Sequence, residues 1–300
     1  MTRSRLLALA VIVALGSAAI SARRPEQAPA RRPTGIGANY QGPAFTFTKI
    51  ADGVYHAIGT GSIVVMSNAA IVEGDRDVLV VDSHVSPGGA WALQEELKAV
   101  TAKPIRWVVN SHYHFDHSHG NQIYGPEVQI IGHDFTRAQM VAGKSQDSPA
   151  REFFVGGVPG AIKVLEGRLA AATDDKVKAQ IQEQLAIQRN HFEGTNAVKP
   201  TPPTMTLSQS MTLHLGSREV RLLFLGRGHT AGDVVVHLPK ERIVATGDLL
   251  INGPSYMGDA FFTDWVQTME TLKGVEFDTI LPGHGRPMTG KASLDHWQAY

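Results

Sequence analysis

Short apolar runs punctuated by glycine, asparagine and aspartate open the chain. Residues 45–50, 54–58, 63–66 and 69–72 read as strands on this pattern, with Gly74-Asp75 as a turn. Residues 78–81 are uniformly apolar and end at Asp82, the pattern of a strand covered on both faces. Over 88–100 the period changes. Trp91, Leu93, Leu97 and Val100 fall on one broad face, which predicts a helix. A strand at 105–109, another at 128–131 and a helix over 134–141 follow.

Residues 143–203 differ in character. Ile162, Leu165 and Leu169, then Val177, Ile181 and Leu185, recur at helical spacing in narrow stripes opposite charged faces. Thr173 or Asp174 suits the cap of the second helix, and Lys199-Pro-Thr-Pro-Pro closes the segment. The pattern predicts a helical hairpin inserted between two halves of a sheet structure, either an ordinary core pair or a cap over a site. Strands return at 211–215, 220–225, 234–238 and 243–246, then a helix at 264–273 and a strand at 279–281. Two similar α/β halves are expected, although no residue-level repeat is visible.

Composition narrows the chemistry. The chain has 300 residues, enough for a substantial core. Its 28 basic and 28 acidic residues balance, so no global field draws it to nucleic acid. It has no cysteine, which removes disulfides, thiol nucleophiles and sulfur-ligated metals. Arg3 and Arg5, the apolar stretch 6–20 and the small residues before Arg23-Arg24 read as a signal peptide over 1–22. Residues 23–42 read as a flexible lead-in and 43–300 as the folded domain. A periplasmic or secreted protein is expected, with no stable membrane anchor after cleavage.

His112, His114, Asp116 and His117 lie within six residues, directly after the apolar strand 105–109. Imidazole and carboxylate suit zinc and similar borderline metals. In an extended segment His112 and His114 point the same way and can grip one ion. Asp116 and His117, where the chain turns, can address a second. Three more polar residues follow strands beside glycine: His229 in Gly226-Arg-Gly-His-Thr-Ala-Gly-Asp, Asp248 in Thr-Gly-Asp, and His284 in Pro-Gly-His-Gly. Glycine lets the backbone turn tightly and approach an ion.

H-x-H-x-D-H, a G-H-T-x-G loop, a G-D and a P-G-H-G together resemble the metallo-β-lactamase superfamily. The resemblance covers roughly residues 45–300 and implies an α/β fold, a four-layer αββα sandwich with its site where the two sheets meet. It implies a first metal on His112, His114 and His229, a second on Asp116, His117 and His284, and Asp248 bridging them. Two zinc ions are expected, with iron or manganese as alternatives. Asp82 resembles an aspartate near the family's site and is expected to hold a ligand histidine or the loop, or to cap the strand end. His56, His84, His119 and His133 match no ligand position and are expected to be structural or surface residues.

The implied activity is hydrolysis of a small-molecule carbonyl substrate (lactone, ester, thioester or amide) by metal-activated hydroxide, with Asp116 orienting the nucleophile. Some features depart from class B β-lactamases. Asp248 stands in the neighbourhood where the common group carries a cysteine, and Leu249, Leu250 and Ile251 follow in place of a lysine. The ligand set looks more like glyoxalase II and the lactonases, without room for glyoxalase II's glutathione-binding domain. Residues 252–259 are expected to border the pocket, with Tyr256 as a substrate-binding residue. The competing expectations are a β-lactamase, a mononuclear iron oxidative enzyme, and a non-catalytic accessory protein of an exported redox system.

Overall fold

The computed structural model describes residues 42–299. The signal peptide and nearly all of the lead-in expected from sequence lie outside them. Among the described residues the strands form two sheets. The first runs in the order β1 (Phe45–Ala51), β2 (Val54–Gly59), β3 (Ala69–Glu73), β4 (Val78–Val81), β5 (Ile105–Val109), β6 (Gln129–His133), β7 (Met205–Leu207). It is antiparallel from β1 to β4 and parallel from β4 to β7. The second contains β8 (Ser210–Leu215), β9 (Arg218–Phe224), β10 (Val234–Leu238), β11 (Ile243–Gly247), β12 (Thr279–Pro282) and β13 (Met288–Thr289). Its strands are antiparallel except for β11 and β12.

Side chains alternate across a strand, and the layers follow from that alternation. Leu79 and Val81 of β4 enter the core between the sheets with Leu222, Val236 and Leu281 of the second sheet. Val78 and Val80 point the other way, onto Trp91, Leu93 and Leu97 of helix α1 (Pro87–Leu97). In the second sheet Val235, Val244 and Ile280 face outward onto Trp265, Met269 and Leu272 of α7 (Phe262–Lys273) and Leu294 of α8 (Ala292–Ala299). The result is the expected αββα sandwich. It also explains why β4 reads as an unbroken apolar run and why β10 and β11 are buried at every position: both faces are covered.

Some elements differ from expectation. Residues 63–66 form no ladder. Ile63 and Val65 are buried against α1, while Met66 adopts φ 64° and the chain turns back. Their apolar run reflects burial of a loop. β7 was not anticipated. It pairs parallel with β6, so the insertion is a crossover within the first sheet and does not separate the halves. After α3 (Asp134–Val141) that crossover holds α4 (Pro149–Val155), α5 (Val158–Ala171) and α6 (Asp175–Asn196). α5 and α6 form the expected hairpin on Leu165, Ile181 and Leu185, and Asp174 caps α6 by accepting from Val177 N at 2.9 Å. α4 is additional. Its start carries a sequence signal that went unread: Ser148 Oγ accepts from Arg151 N at 3.2 Å, with proline at the first helical position. Among the described residues no helix is long and apolar enough to cross a membrane.

Candidate metal centre

The C-terminal ends of β4, β5, β11 and β12 and the loop after β9 converge at one edge of the sandwich. β5 delivers His112 and His114, and the single turn α2 (Phe115–Ser118) follows with Asp116 and His117. The loop between β9 and β10 carries His229, Asp248 follows β11, and His284 follows β12. All seven predicted residues meet, and only His284 retains substantial exposure.

Their donor atoms form overlapping groups. Nitrogens of His112, His114 and His229 lie within 4.8 Å of one another, as do donors of His112, His117 and Asp248, and of Asp116, His117 and His284. His114 Nδ1 faces His229 Nε2 at 2.9 Å. His117 Nε2 lies 3.3 Å from His284 Nε2 and 3.3 Å from both Asp116 Oδ2 and Asp248 Oδ1. Asp248 Oδ2 reaches both sides, 3.3 Å from His284 Nε2 and 3.7 Å from His229 Nε2. His112 Nε2 and Asp248 Oδ1 are buried with no hydrogen-bond partner. Buried polar atoms are rarely left so. Orphaned, convergent nitrogen and oxygen donors without sulfur fit divalent cations of the zinc type.

The two sides carry different charge. Burial, then the neighbouring imidazoles, holds His112 well below its ordinary range, and the same effects push His229 down to about 4. Burial alone would raise Asp116 and Asp248, but the His117 and His284 charges beside them hold both carboxyls well below the usual range. Burial opposes protonation of His117 and His284 as well, yet the carboxylates prevail: His117 is driven well above its ordinary value and His284 up to about 10. A pH dependence follows. Below pH about 10 a cation entering the Asp116–His117–His284 group displaces a proton from His284. Binding there is expected to strengthen as pH rises from 6 to 9, while His112 and His229 are already neutral over that range. Calorimetric titration of zinc in buffers of different ionisation heat should show proton release, and an absence of buffer dependence would refute the assignment.

Surrounding residues fix the ligands. Asp82 does both things expected of it: Oδ2 accepts from His117 Nδ1 at 2.7 Å, and Oδ1 accepts from Ser111 N at 2.7 Å. It sits at φ 69°, in the left-handed region, where aspartate is tolerated better than most residues. Glycine is demanded at 283, where a Cβ would collide with Asp248 Oδ1 and meet His117 Cε1 at 2.9 Å. His56, His84, His119 and His133 are all buried, so the surface alternative is excluded for them.

Two residues escaped the sequence reading. Asp233 accepts from Thr230 N and Oγ1 and ties the His229 loop. Asp259 accepts from Tyr113 OH and from His114 Nε2, the latter at 2.9 Å. Burial would raise Asp259, but those partners bring it to about 2. By holding Nε2 it aims Nδ1 of His114 at the cluster. Asp259→Asn should weaken zinc at the His112–His114–His229 group roughly 10- to 100-fold. Competition with a chromophoric chelator measures this, and unchanged affinity would leave Asp259 as packing only. Asp259 closes the stretch 252–259, which does border the cavity through Asn252, Gly253, Pro254 and Tyr256. The Tyr256 hydroxyl lies against Gly258 in its own loop, while its ring faces the cavity.

A cluster of metal donors at the sheet edge of an αββα sandwich is the architecture of a metallohydrolase. The profile of the Metallo-beta-lactamase superfamily matches residues 63–128 and 198–284, and the chain belongs to that superfamily. The unmatched stretch between contains α4, α5 and α6. The chain is 24% identical over 240 residues to 2,4-dinitroanisole O-demethylase subunit alpha of Nocardioides sp. (strain JS1661), covering 78% of this chain and 54% of that protein. It is 22% identical over 239 residues to linear primary-alkylsulfatase of Pseudomonas sp. (strain ATCC 19151), covering 75% and 42%. It thus spans about half the length of these relatives. Among solved structures, the metallo-β-lactamase FIM-1 from Pseudomonas aeruginosa in its mono-zinc form shares the fold, with TM-score 0.58 and 21% identity over 87% of this chain and 96% of that one.

Proposed function

We propose that the protein is an exported dinuclear zinc hydrolase of a carbonyl substrate: a lactone, ester, thioester or amide. The observation that carries this reading is Asp248, whose Oδ2 lies 3.7 Å from His229 Nε2 and 3.3 Å from His284 Nε2, so one carboxylate spans two donor groups. An iron oxidative enzyme with one metal has no use for the second group. The donor set, and the zinc in FIM-1's solved form, favour zinc. Zinc bound there would supply a water ionised near neutral pH and a Lewis acid for the carbonyl oxygen.

The chain's own residues divide the remaining work. His112, His114 and His229 would hold a first ion and Asp116, His117 and His284 a second, with Asp248 within reach of both groups. Asp116, a carboxylate of the second group, would orient the attacking water and accept its proton. Asp82 and Asp259 fix the His117 and His114 tautomers so that the opposite ring nitrogens are free to ligate. Asp116 and Asp248 would offset part of the charge of two divalent cations and leave the site net positive, suited to a developing oxyanion.

Elemental analysis of the purified protein, followed by an ester, lactone, thioester and nitrocefin panel, tests the proposal. Two zinc equivalents and turnover of a carbonyl substrate are expected. A fully zinc-loaded protein inert to the whole panel would favour the accessory-protein reading. Export rests on residues 1–22, and N-terminal sequencing of the mature protein checks it.

A further inference from the structure

The cavity over the donor cluster holds about 370 Å³, within the range of a small-molecule site. Its floor carries His114, His229, His284 and the two carboxylates Asp116 and Asp248. Its walls are Met66, Phe115, Phe154, Ile251, Pro254 and the Tyr256 ring. No lysine or arginine is among the residues that line it. Arg227, two residues before His229, is engaged elsewhere: it pairs with Asp264 and lies over the Phe261 ring, 4.7 Å from its centroid.

The wall is also aromatic in a continuous way. The Tyr256 ring lies 6.1 Å from His114 and 5.8 Å from Phe154, edge-on at 65°. Phe154 lies 6.4 Å from Phe115 and 4.9 Å from Phe153. Phe154 is 45% exposed and Phe153 73% exposed, so α4 leaves two large rings in water at the mouth. Both belong to the stretch that the superfamily profile skips.

Resting on the proposed hydrolase reading, we propose a narrower substrate class: an uncharged molecule with an aryl or comparably flat apolar group beside the scissile bond. That group packs on Phe154 and Tyr256, and α4 is the element that selects it. A ring placed there meets aromatic edges at offset or edge-to-face geometry, the favoured arrangement. A carboxylate on the same ring would lose water and gain no cation. The metal pair attracts anions only at the floor, where the reacting carbonyl must sit.

The test uses zinc-loaded full chain and matched pairs. Phenyl acetate is expected to show kcat/KM at least about tenfold above 4-acetoxybenzoate, corrected for intrinsic reactivity. Phe154→Ala should raise KM for phenyl acetate by about tenfold. Phe192→Ala removes an exposed ring of α6 outside the cavity and should leave KM unmoved. Equilibrium dialysis of acetophenone and 4-acetylbenzoate gives a readout independent of turnover, run with zinc and with chelator. Tighter binding of the neutral ketone, weakened in Phe154→Ala, supports the proposal. Equal or tighter use of the carboxylate partner, or a Phe154→Ala protein with unchanged KM and ketone affinity, overturns it. If neither ester turns over and the lactone, thioester and nitrocefin panel is inert as well, the hydrolase reading fails, and the ketone arm still decides whether this wall selects neutral aryl groups.

Discussion

Zinc-loaded His229→Ala is expected to lose hydrolysis by more than about 100-fold, beyond what loss of a ligand's supporting contact costs. It should also lose one zinc equivalent. The substitution removes the Nε2 that faces His114 Nδ1 at 2.9 Å and approaches Asp248 at 3.7 Å. His112 and His114 would remain with one shared carboxylate, so the group keeps two of its three nitrogen donors and binds the ion more weakly. His229 is neutral at working pH because burial pushes it down to about 4, so its removal breaks no ion pair. The urea midpoint should therefore move little compared with activity. Near wild-type turnover with full metal content would sink the assignment of His229.

Asp82→Ala is expected to act on fold and site together. The carboxylate accepts from Ser111 N, Ser111 Oγ and His117 Nδ1 at 2.7, 2.8 and 2.7 Å, and it is buried. Deleting it strands three donors, at roughly 3–5 kcal/mol of stability, read from the urea midpoint. Asp82→Asn separates the two effects. An amide keeps a similar shape but has one acceptor oxygen, so it cannot accept from both Ser111 N and His117 Nδ1; with that oxygen on Ser111 N, His117 no longer keeps its proton on Nδ1. The proton moves to Nε2, which then cannot ligate. Zinc at the second group should weaken roughly 10- to 100-fold in a protein that still folds. An Asp82→Asn protein with wild-type affinity for its second zinc would reduce Asp82 to a strand-end cap.

The donor cluster was legible because metal chemistry restricts residue type and because His229, Asp248 and His284 each follow a strand beside a glycine. Gly283 illustrates why: a side chain there would occupy the space of Asp248. Asp259 was not legible. It lies 145 positions from His114, in a loop with no periodicity, and only the return of that loop over the site makes the pair. α4 was half-legible, since Ser148-Pro149 marks a helix start, but seven residues are too short to show a stripe. The strand expected at 63–66 failed because an apolar run reports burial and not hydrogen-bond partners. β7 was missed because three residues carry no pattern of their own. Its place is set by pairing with β6.

By itself the sequence determined the class of chemistry: no sulfur, seven histidine and aspartate donors after strands, and apolar runs long enough for two covered sheets. Those features are local, because ligand type and strand burial are written within a few residues. Only the tertiary structure decided which donors come together, which nitrogens of His114 and His117 face the cluster, and what walls the cavity. These depend on loops separated by a hundred residues or more and on a helix packed over the mouth, and such relations exist only once the chain has folded.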